Sequence, residues 1–319
     1  MRLATRLRLA AASLVVLTTT SCLGGDDSLN NTTDSSSPVP APSSAPASAV
    51  AGPGGPAFPK VVDIGAKIDQ PGFNEFDASS HEYSGFEEEL ASYLGKHLGF
   101  KPDFDDVLSR EREQALVDGS VQLVIATYTI TKPRLKEIDF VGPYLETRQG
   151  LLVRDDNTEI KSRKDTAGKQ ICTVNGSTSD PEADGSTPDP KKVNPLHKDA
   201  DLVFEDDYRA CVLQLRDDNV DAVWTDRVIL YGFAQEYEDV RVVDKIKVGK
   251  IQRYGIGLPK HHKQQCDQLT EQLRKFLRDE WLSNFRERFP NIVEAEKEDY
   301  EPTYKPTEED VTTYTRCTP

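Results

Sequence analysis

Basic residues are scarce in this sequence: 39 lysines and arginines stand against 54 aspartates and glutamates, and the formal net charge is −15. Nucleic-acid phosphates need a basic protein face, so this charge argues against a nucleic-acid-binding protein. An anionic small ligand remains possible, because the local charge of a cleft decides what binds there.

Motifs for catalysis or for metal binding are also missing. The five histidines lack the spacing of metal ligands, and the chain has no GxSxG, HExxH or phosphate-binding glycine loop. An acidic insertion at 180–192 resembles the start of a calcium loop, but Lys191 replaces the bidentate glutamate of such a loop. We therefore predict no metal, no cofactor and no enzymatic activity.

The N-terminal apolar run, "LAAASLVVL" at 9–17, is too short to span a bilayer. Arginines precede the run and "TTTSC" follows it, a pattern typical of a signal peptide at 1–21. Because Cys22 follows small residues, we predict that it is acylated after cleavage and anchors the protein to the membrane from outside the cytoplasm. The alternative is a secreted protein with a spare cysteine.

Large apolar side chains are nearly absent from residues 22–57, which are rich in serine, proline and alanine. Such a segment buries too little surface to offset its ordering entropy, so we predict a disordered tether. The chain from residue 58 onward is long enough for one large domain or two smaller lobes.

Four cysteines remain besides Cys22, and an even number fits disulfide formation in an oxidising compartment. Three pairings are possible. We favour sequence neighbours, namely Cys172 with Cys211 and Cys266 with Cys317. The second disulfide would fasten the C-terminal extension, residues 291–319, which we predict to be extended.

Strand and helix patterns alternate along the rest of the chain. Residues 61–68 read as a strand, and 85–99 carry an apolar stripe at helical spacing. The run "VQLVIAT" at 121–127 is typical of a strand that is buried on both faces. This alternation predicts an α/β fold with parallel sheets.

Polar residues follow three of the predicted strands, at the sheet edge where ligands of α/β proteins bind. Arg134 follows the first of them, and its planar guanidinium fits a carboxylate. Gly176-Ser177-Thr178 follow the second, and Asp226, which suits an ammonium group, follows the third. The alternatives are that Arg134 and Asp226 only cap helices. Together these residues predict a site for a zwitterion.

Several motifs occur in the order seen in bacterial extracellular solute-binding proteins of the polar amino-acid class. The resemblance is to the glutamate-binding lipoproteins of ABC importers in particular, and it covers about residues 60–290. The motifs are "KIDQPG", "SGFEEELASYLGKHLG", "ATYTITKPRLKEIDFVGPY", "QGLLV", "VNGST", "DAVWTD" and "YGIGL".

The resemblance implies a role for each matching position. Arg134 resembles the clamp for the α-carboxylate of the ligand, with Thr129 as its hydroxyl partner. Asp226 resembles the acceptor for the α-ammonium group. Ser177 and Thr178 would contact the carboxylate. Lys67 occupies a position where members of this class often read the ligand side chain, and Arg112 matches a basic position of the glutamate-binding group.

The resemblance also implies a two-lobed periplasmic-binding-protein-like fold of type II, with the ligand between the lobes. Lobe 1 would comprise residues 58–150 and 253–290, and lobe 2 residues 151–252. The protein would be a monomer that presents a polar or acidic amino acid to an ABC permease. The alternatives are a sensor for a membrane signalling partner, or a dehydratase-type or cell-wall-cleaving enzyme on the same fold.

Overall fold

The computed structural model describes residues 57–181, 183, 196 and 198–319. The predicted signal peptide, Cys22 and the tether up to residue 56 lie outside the described residues, and so do most residues of the acidic insertion.

Strands and helices alternate along most of the described chain, as the apolar pattern predicts. The strands are β1 (Val61–Ala66), β2 (Asp69–Gln70), β3 (Asn74–Asp77), β4 (Glu82–Ser84), β5 (Lys101–Asp106), β6 (Leu123–Val124), β7 (Asp139–Arg154), β8 (Gln170–Val174), β9 (Asp201–Glu205), β10 (Ala222–Asp226), β11 (Val240–Val242) and β12 (Val248–Leu258). The helices are α1 (Phe86–Leu98), α2 (Arg112–Asp118), α3 (Arg134–Glu137), α4 (Tyr208–Arg216), α5 (Arg227–Glu236), α6 (Lys263–Asp279), α7 (Trp281–Arg288), α8 (Pro290–Glu296), α9 (Tyr300–Tyr304) and α10 (Glu308–Tyr314).

The main sheet has the strand order β5-β1-β6-β12-β7-β10-β8-β9, and β11 pairs with β7. Pairing is parallel among β5, β1 and β6 at one end and among β10, β8 and β9 at the other. In the middle, β7 and β12 are long antiparallel strands of 16 and 11 residues. Since β7 also pairs with β10 and β11, it connects the two parallel parts. A small second sheet contains β2, β3 and β4.

Helix α1 shows how the sequence specifies its own packing. Phe86, Leu90 and Leu94 recur at helical spacing and are fully buried. Three glutamates in the first turn and Lys96 in the last turn complement the helix dipole. The apolar face of α1 therefore packs against the core, where α1 contacts α6 and β5.

The C-terminal extension is helical, so the prediction that it is extended is wrong. Tyr300 and Tyr304, four residues apart, are buried, and so is Val311 on α10. Thr307 caps α10 in a capping box with Asp310, a signal that the sequence already contains. Two tyrosines at helical spacing and this capping box are sequence signals for the helices of this charged segment.

Both predicted disulfides are present. Cys172–Cys211 joins β8 to α4, and Cys266–Cys317 joins α6 to the last residues of the chain. Beside the second disulfide, Arg316 forms an antiparallel bridge with Phe140 at the start of β7. The extension is thus fastened to the sheet by a covalent bond and by backbone hydrogen bonds.

None of the helices in the described ranges is long and apolar enough to cross a membrane. Over the same part of the chain, no three residues of the metal-binding types come together in a way that could hold a metal ion.

Candidate functional site

A cavity lies where the ends of the parallel strands face the starts of several helices. In this arrangement the lining side chains leave a free volume of only about 10 Å³, which is room for about one water molecule. Six of the seven predicted ligand-binding residues line it, and Lys67 does not. The lining residues are Ser109, Arg112, Thr127, Thr129, Arg134, Ser177, Thr178, Tyr208, Thr225, Asp226 and Ile229.

Arg134, the first residue of α3, is buried and held on several sides. Its Nε lies 2.7 Å from Oε1 of Glu113. Its Nη1 donates to the Thr129 carbonyl at 2.8 Å, and its Nη2 donates to the Gly176 carbonyl at 3.0 Å. Three of the five guanidinium N–H groups thus have partners among the described residues, and the fork is held in one orientation.

A second guanidinium, that of Arg112, stands beside the first. Arg112 donates to the carbonyls of Ser109 at 3.1 Å and Ala126 at 2.8 Å. The guanidinium carbons of Arg112 and Arg134 lie 4.5 and 4.8 Å from the centre of the Tyr128 ring. Burial and the charge of Arg134 lower the pKa of Arg112. Arg112 thus adds a second guanidinium to this wall of the cavity, beside the ion pair of Arg134 with Glu113.

Asp226 supplies the negative charge of the cavity. Its Oδ2 accepts a hydrogen bond from the Tyr254 hydroxyl at 2.5 Å, and its buried Oδ1 has no hydrogen-bond partner among the described residues. Burial raises the pKa of Asp226 to about 6, although the Tyr254 hydrogen bond and the two arginines lower it. The side chain makes no capping hydrogen bond to α5, so the alternative that Asp226 only caps this helix is wrong.

Backbone pairing fixes the position of Thr129 relative to Asp226. Thr129 forms an isolated antiparallel bridge with Tyr254, the residue whose hydroxyl contacts Asp226. The carbonyl of Thr129 is also the acceptor for Arg134. Hydrogen bonds through Thr129 and Tyr254 thereby connect the guanidinium of Arg134 to the carboxylate of Asp226.

Ser177 and Thr178 reach the cavity from the turn after β8. The N–H groups of Gly176 and Ser177 already have partners, the Asp180 carboxylate at 2.9 Å and the Val174 carbonyl at 3.2 Å. The turn therefore brings the side chains of Ser177 and Thr178 to the cavity, where the Ser177 hydroxyl accepts from the Ser179 N–H at 3.1 Å and the Thr178 hydroxyl accepts from Nε2 of Gln149 at 3.3 Å.

The structure places Lys67 outside the cavity lining. Its buried ammonium lies 2.9 Å from Oδ1 of Asp69, and Oδ2 of Asp69 accepts from the Tyr208 backbone N–H at 2.8 Å. Lys67 therefore forms an ion pair with Asp69, and Asp69 in turn binds the first backbone N–H of α4. Through this pair Lys67 supports the start of α4, and it does not line the cavity.

Several lining residues were not predicted from the sequence, among them Tyr208 and Thr225. Burial raises the pKa of Tyr208 to about 12, although hydrogen bonds with Ser177 and Thr225 lower it. Thr225 directly precedes Asp226 at the end of β10, which was a usable signal. Tyr208 enters the site only because α4 packs across the strand ends, and this packing leaves no mark in the sequence.

Comparison with known proteins identifies relatives over most of the described chain. Residues 62–291 match the family model described as bacterial extracellular solute-binding proteins, family 3. A glutamate-binding protein of Corynebacterium glutamicum is 34% identical over 230 residues, which are 68% of this chain and 74% of that protein. An ABC transporter glutamine-binding protein of Bacillus subtilis is 30% identical over 224 residues, which are 69% and 77% of the two chains.

Solved structures give the same result for the fold. An ancestral arginine-binding protein bound to glutamine aligns with a TM-score of 0.64 and 27% identity, over 73% of this chain and 99% of that one. A solute receptor for L-cysteine of Neisseria gonorrhoeae aligns with a TM-score of 0.66 and 21% identity, over 78% and 96% of the two chains. These matches confirm the predicted two-lobed α/β fold. The relatives are named as binding proteins, in agreement with the prediction that the chain is not an enzyme.

Proposed function

The chain belongs to family 3 of the bacterial extracellular solute-binding proteins, and we propose that it binds a polar or acidic L-amino acid for an ABC importer. One observation carries the proposal. The guanidinium of Arg134 and the carboxylate of Asp226 line one cavity, and Oδ1 of Asp226 has no partner among the described residues. An unpartnered buried carboxylate oxygen is costly unless a ligand completes it.

The head group of an amino acid fits these two charges. Its carboxylate would accept from the free N–H groups of Arg134, and the hydroxyls of Thr129, Ser177 and Thr178 would complete its hydrogen bonds. Its ammonium group would donate to Oδ1 of Asp226.

The class of ligand that we propose is a polar or acidic amino acid. Arg112 and Arg134 bring two positive charges to the site, and Asp226 and Glu113, which pairs with Arg134 at 2.7 Å, bring two negative charges, so charge alone does not select an acidic side chain. Two similar proteins named for glutamate and glutamine support the same class. We rank glutamate first, followed by aspartate, glutamine and asparagine.

Both parallel parts of the sheet contribute to the cavity. Arg134 follows β6, whereas Ser177, Thr178 and Asp226 follow or end β8 and β10. A ligand that contacts both sides stabilises the closed arrangement because it gains contacts that the open arrangement lacks. The closed protein would dock on the permease.

A thermal-shift screen of the purified protein against the common amino acids tests the proposal. A ligand at a hundred times its dissociation constant should stabilise the protein by about 2.7 kcal/mol. We expect such a shift with glutamate or one of the three related amino acids. A screen in which no amino acid shifts the melting temperature would overturn the proposal.

Membership of an extracellular family places the chain outside the cytoplasm. We further propose that lipid on Cys22 holds it at the membrane, where an importer would receive its ligand. Cys22→Ala should move the protein from the membrane fraction into the soluble fraction of cells. Retention of this variant in the membrane fraction would contradict lipid anchoring.

A further inference from the structure

Behind the cavity wall, one buried carboxylate joins three parts of the molecule. Glu87, in the first turn of α1, has no exposed surface. Its Oε1 accepts from the Thr127 backbone N–H at 2.6 Å and from the hydroxyl of Tyr144 on β7. Its Oε2 accepts from Nδ2 of Asn74 on β3 at 2.8 Å. Glu87 thus connects the cavity wall, the long central strand and the small sheet.

The backbone at Thr127 needs such support. Thr127 lines the cavity and has a φ of +44°, in the left-handed region that β-branched residues rarely adopt. Its side chain is also fixed, since Oγ1 donates to Oε1 of Gln70 at 2.9 Å. Tyr128 and Thr129 follow directly; the Tyr128 ring contacts both guanidinium groups, and the Thr129 carbonyl accepts from Arg134. The conformation of Thr127 therefore affects the positions of Arg112 and Arg134.

We propose that Glu87 is a positioning residue for the amino-acid site, which holds the Thr127 backbone through its charged carboxylate and thereby couples ligand affinity to pH. The proposal rests on the proposed function, because it concerns affinity for the same ligand. Glu87 itself makes no contact with the ligand in this account, since it does not line the cavity.

Asn74 can form hydrogen bonds with Glu87 in two ways, one with the carboxylate charged and one with it protonated. With Glu87 charged, Nδ2 of Asn74 bonds both Oε2 of Glu87 and the Ile125 carbonyl, the latter at 3.3 Å. Oδ1 of Asn74 is buried and has no hydrogen-bond partner among the described residues. If Oε2 of Glu87 became protonated, the side-chain amide of Asn74 would flip, and the new O–H would donate to Oδ1 of Asn74. Nδ2 would then leave the Ile125 carbonyl, and the chain that leads to Thr127 would lose a contact.

The surroundings of Glu87 place this change near neutral pH. Burial raises the pKa of Glu87 to about 7, although hydrogen bonds from Tyr144, Thr127 and Asn74 and the charge of Arg112 lower it. These groups, on β7, β3, α2 and the segment after β6, are the titratable and polar neighbours that face the carboxylate. Ionised Glu87 dominates above this pH, so affinity should rise as the pH rises through it.

Calorimetric titration with L-glutamate from about pH 5 to about pH 9 tests the coupling. We expect Glu87→Gln to bind about tenfold more weakly than wild type above neutral pH, because a neutral amide holds the Thr127 N–H less strongly. The variant should also lose the rise in affinity near pH 7. Both proteins should keep the fall that accompanies protonation of Asp226 at about pH 6.

Glu88→Gln is the matched control. Glu88 is the next residue on α1 and bonds to Ser92 at 2.5 Å, on the helix surface. We expect its pH profile of affinity to equal that of wild type. A Glu87→Gln profile that also equals that of wild type would overturn the proposal.

The amide of Thr127 gives a readout that needs neither ligand nor variant. In ¹⁵N-labelled wild-type protein without ligand, its NMR resonance should shift as Glu87 titrates near neutral pH. A resonance that stays constant across this range would overturn the proposed coupling of Glu87 to pH. If the amide titrates but no amino acid binds, the proposed function is wrong, the coupling to affinity falls with it, and the holding role stands.

Discussion

At the scale of single residues, burial acts on Asp226 in two opposite ways. It strengthens the attraction between the carboxylate and a ligand ammonium group, because little water competes for the charge. It also makes the charged carboxylate costly in the empty protein, since Oδ1 has no partner there among the described residues. The charge of Asp226 therefore lowers the stability of the ligand-free protein and raises its affinity for an ammonium group.

Asp226→Asn should therefore stabilise the ligand-free protein at neutral pH. The pKa of Asp226 is raised to about 6, whereas an unfolded aspartate has a pKa of about 4, so ionisation begins to disfavour the folded state above about pH 4 and does so fully above about pH 6. We expect a gain in the free energy of unfolding on the order of 2 kcal/mol at pH 8, measured by urea denaturation. Below about pH 4 the carboxyl is neutral in both the folded and the unfolded state, and the gain should vanish. A variant that is less stable than wild type at pH 8 would contradict the account.

The candidate site could be predicted residue by residue only where the chemistry is local. Arg134, Asp226 and the Ser177-Thr178 turn stand at strand ends, and the sequence shows both the strand and the polar residue after it. Lys67 also follows a strand, but it pairs with Asp69, and no pattern distinguishes an ammonium that faces a ligand from one that faces an internal carboxylate.

At the scale of helices and strands, the spacing of apolar residues predicted most elements of the fold. It failed where contacts with distant residues determine the backbone conformation. The stripe of α1 and the apolar runs of β8 and β10 mark their elements clearly. The apolar run at 121–127 predicted a full strand, yet only Leu123–Val124 are in strand conformation. The rest of that run turns into the cavity wall, where the side chain of Glu87 holds the backbone at Thr127.

The disulfide Cys266–Cys317 should stabilise the C-terminal helices without affecting the site. It closes a loop with a sequence separation of 51, so the double variant Cys266→Ser/Cys317→Ser should lose about 4 kcal/mol of unfolding free energy. Urea denaturation measures the loss. Ligand affinity is the internal control and should not change, because α6 and the tail lie outside the described lining of the cavity. Unchanged stability would show that the tail is held by its noncovalent contacts alone.

At the scale of the whole molecule, α5 and the loop after β2 meet in a close backbone contact. Gly232 on α5 lies against Pro71 in the loop after β2, and an added Cβ would lie 2.2 Å from the Pro71 carbonyl oxygen. No real Cβ makes so short a contact with backbone atoms, so a larger residue must push the two segments apart.

Gly232→Ala should therefore hold the cleft partly open. We expect a larger radius of gyration in small-angle X-ray scattering with saturating ligand, and an affinity at least about tenfold weaker, since closure contributes ligand contacts. Gln235→Ala, on the same helix, removes atoms and should bind ligand like wild type. Equal scattering and affinity for Gly232→Ala and wild type would contradict this account of closure.

In the proposed complex, Arg134 and Asp226 bind the two opposite charges of one amino-acid head group. Calorimetry with L-glutamate and with glutarate, which lacks the ammonium group, tests this arrangement on wild type and on Asp226→Asn. We predict that wild type binds glutamate at least about a hundredfold more tightly than glutarate, and that Asp226→Asn abolishes this preference. Equal affinity of wild type for the two compounds, or a preference that survives in the variant, would contradict the claim.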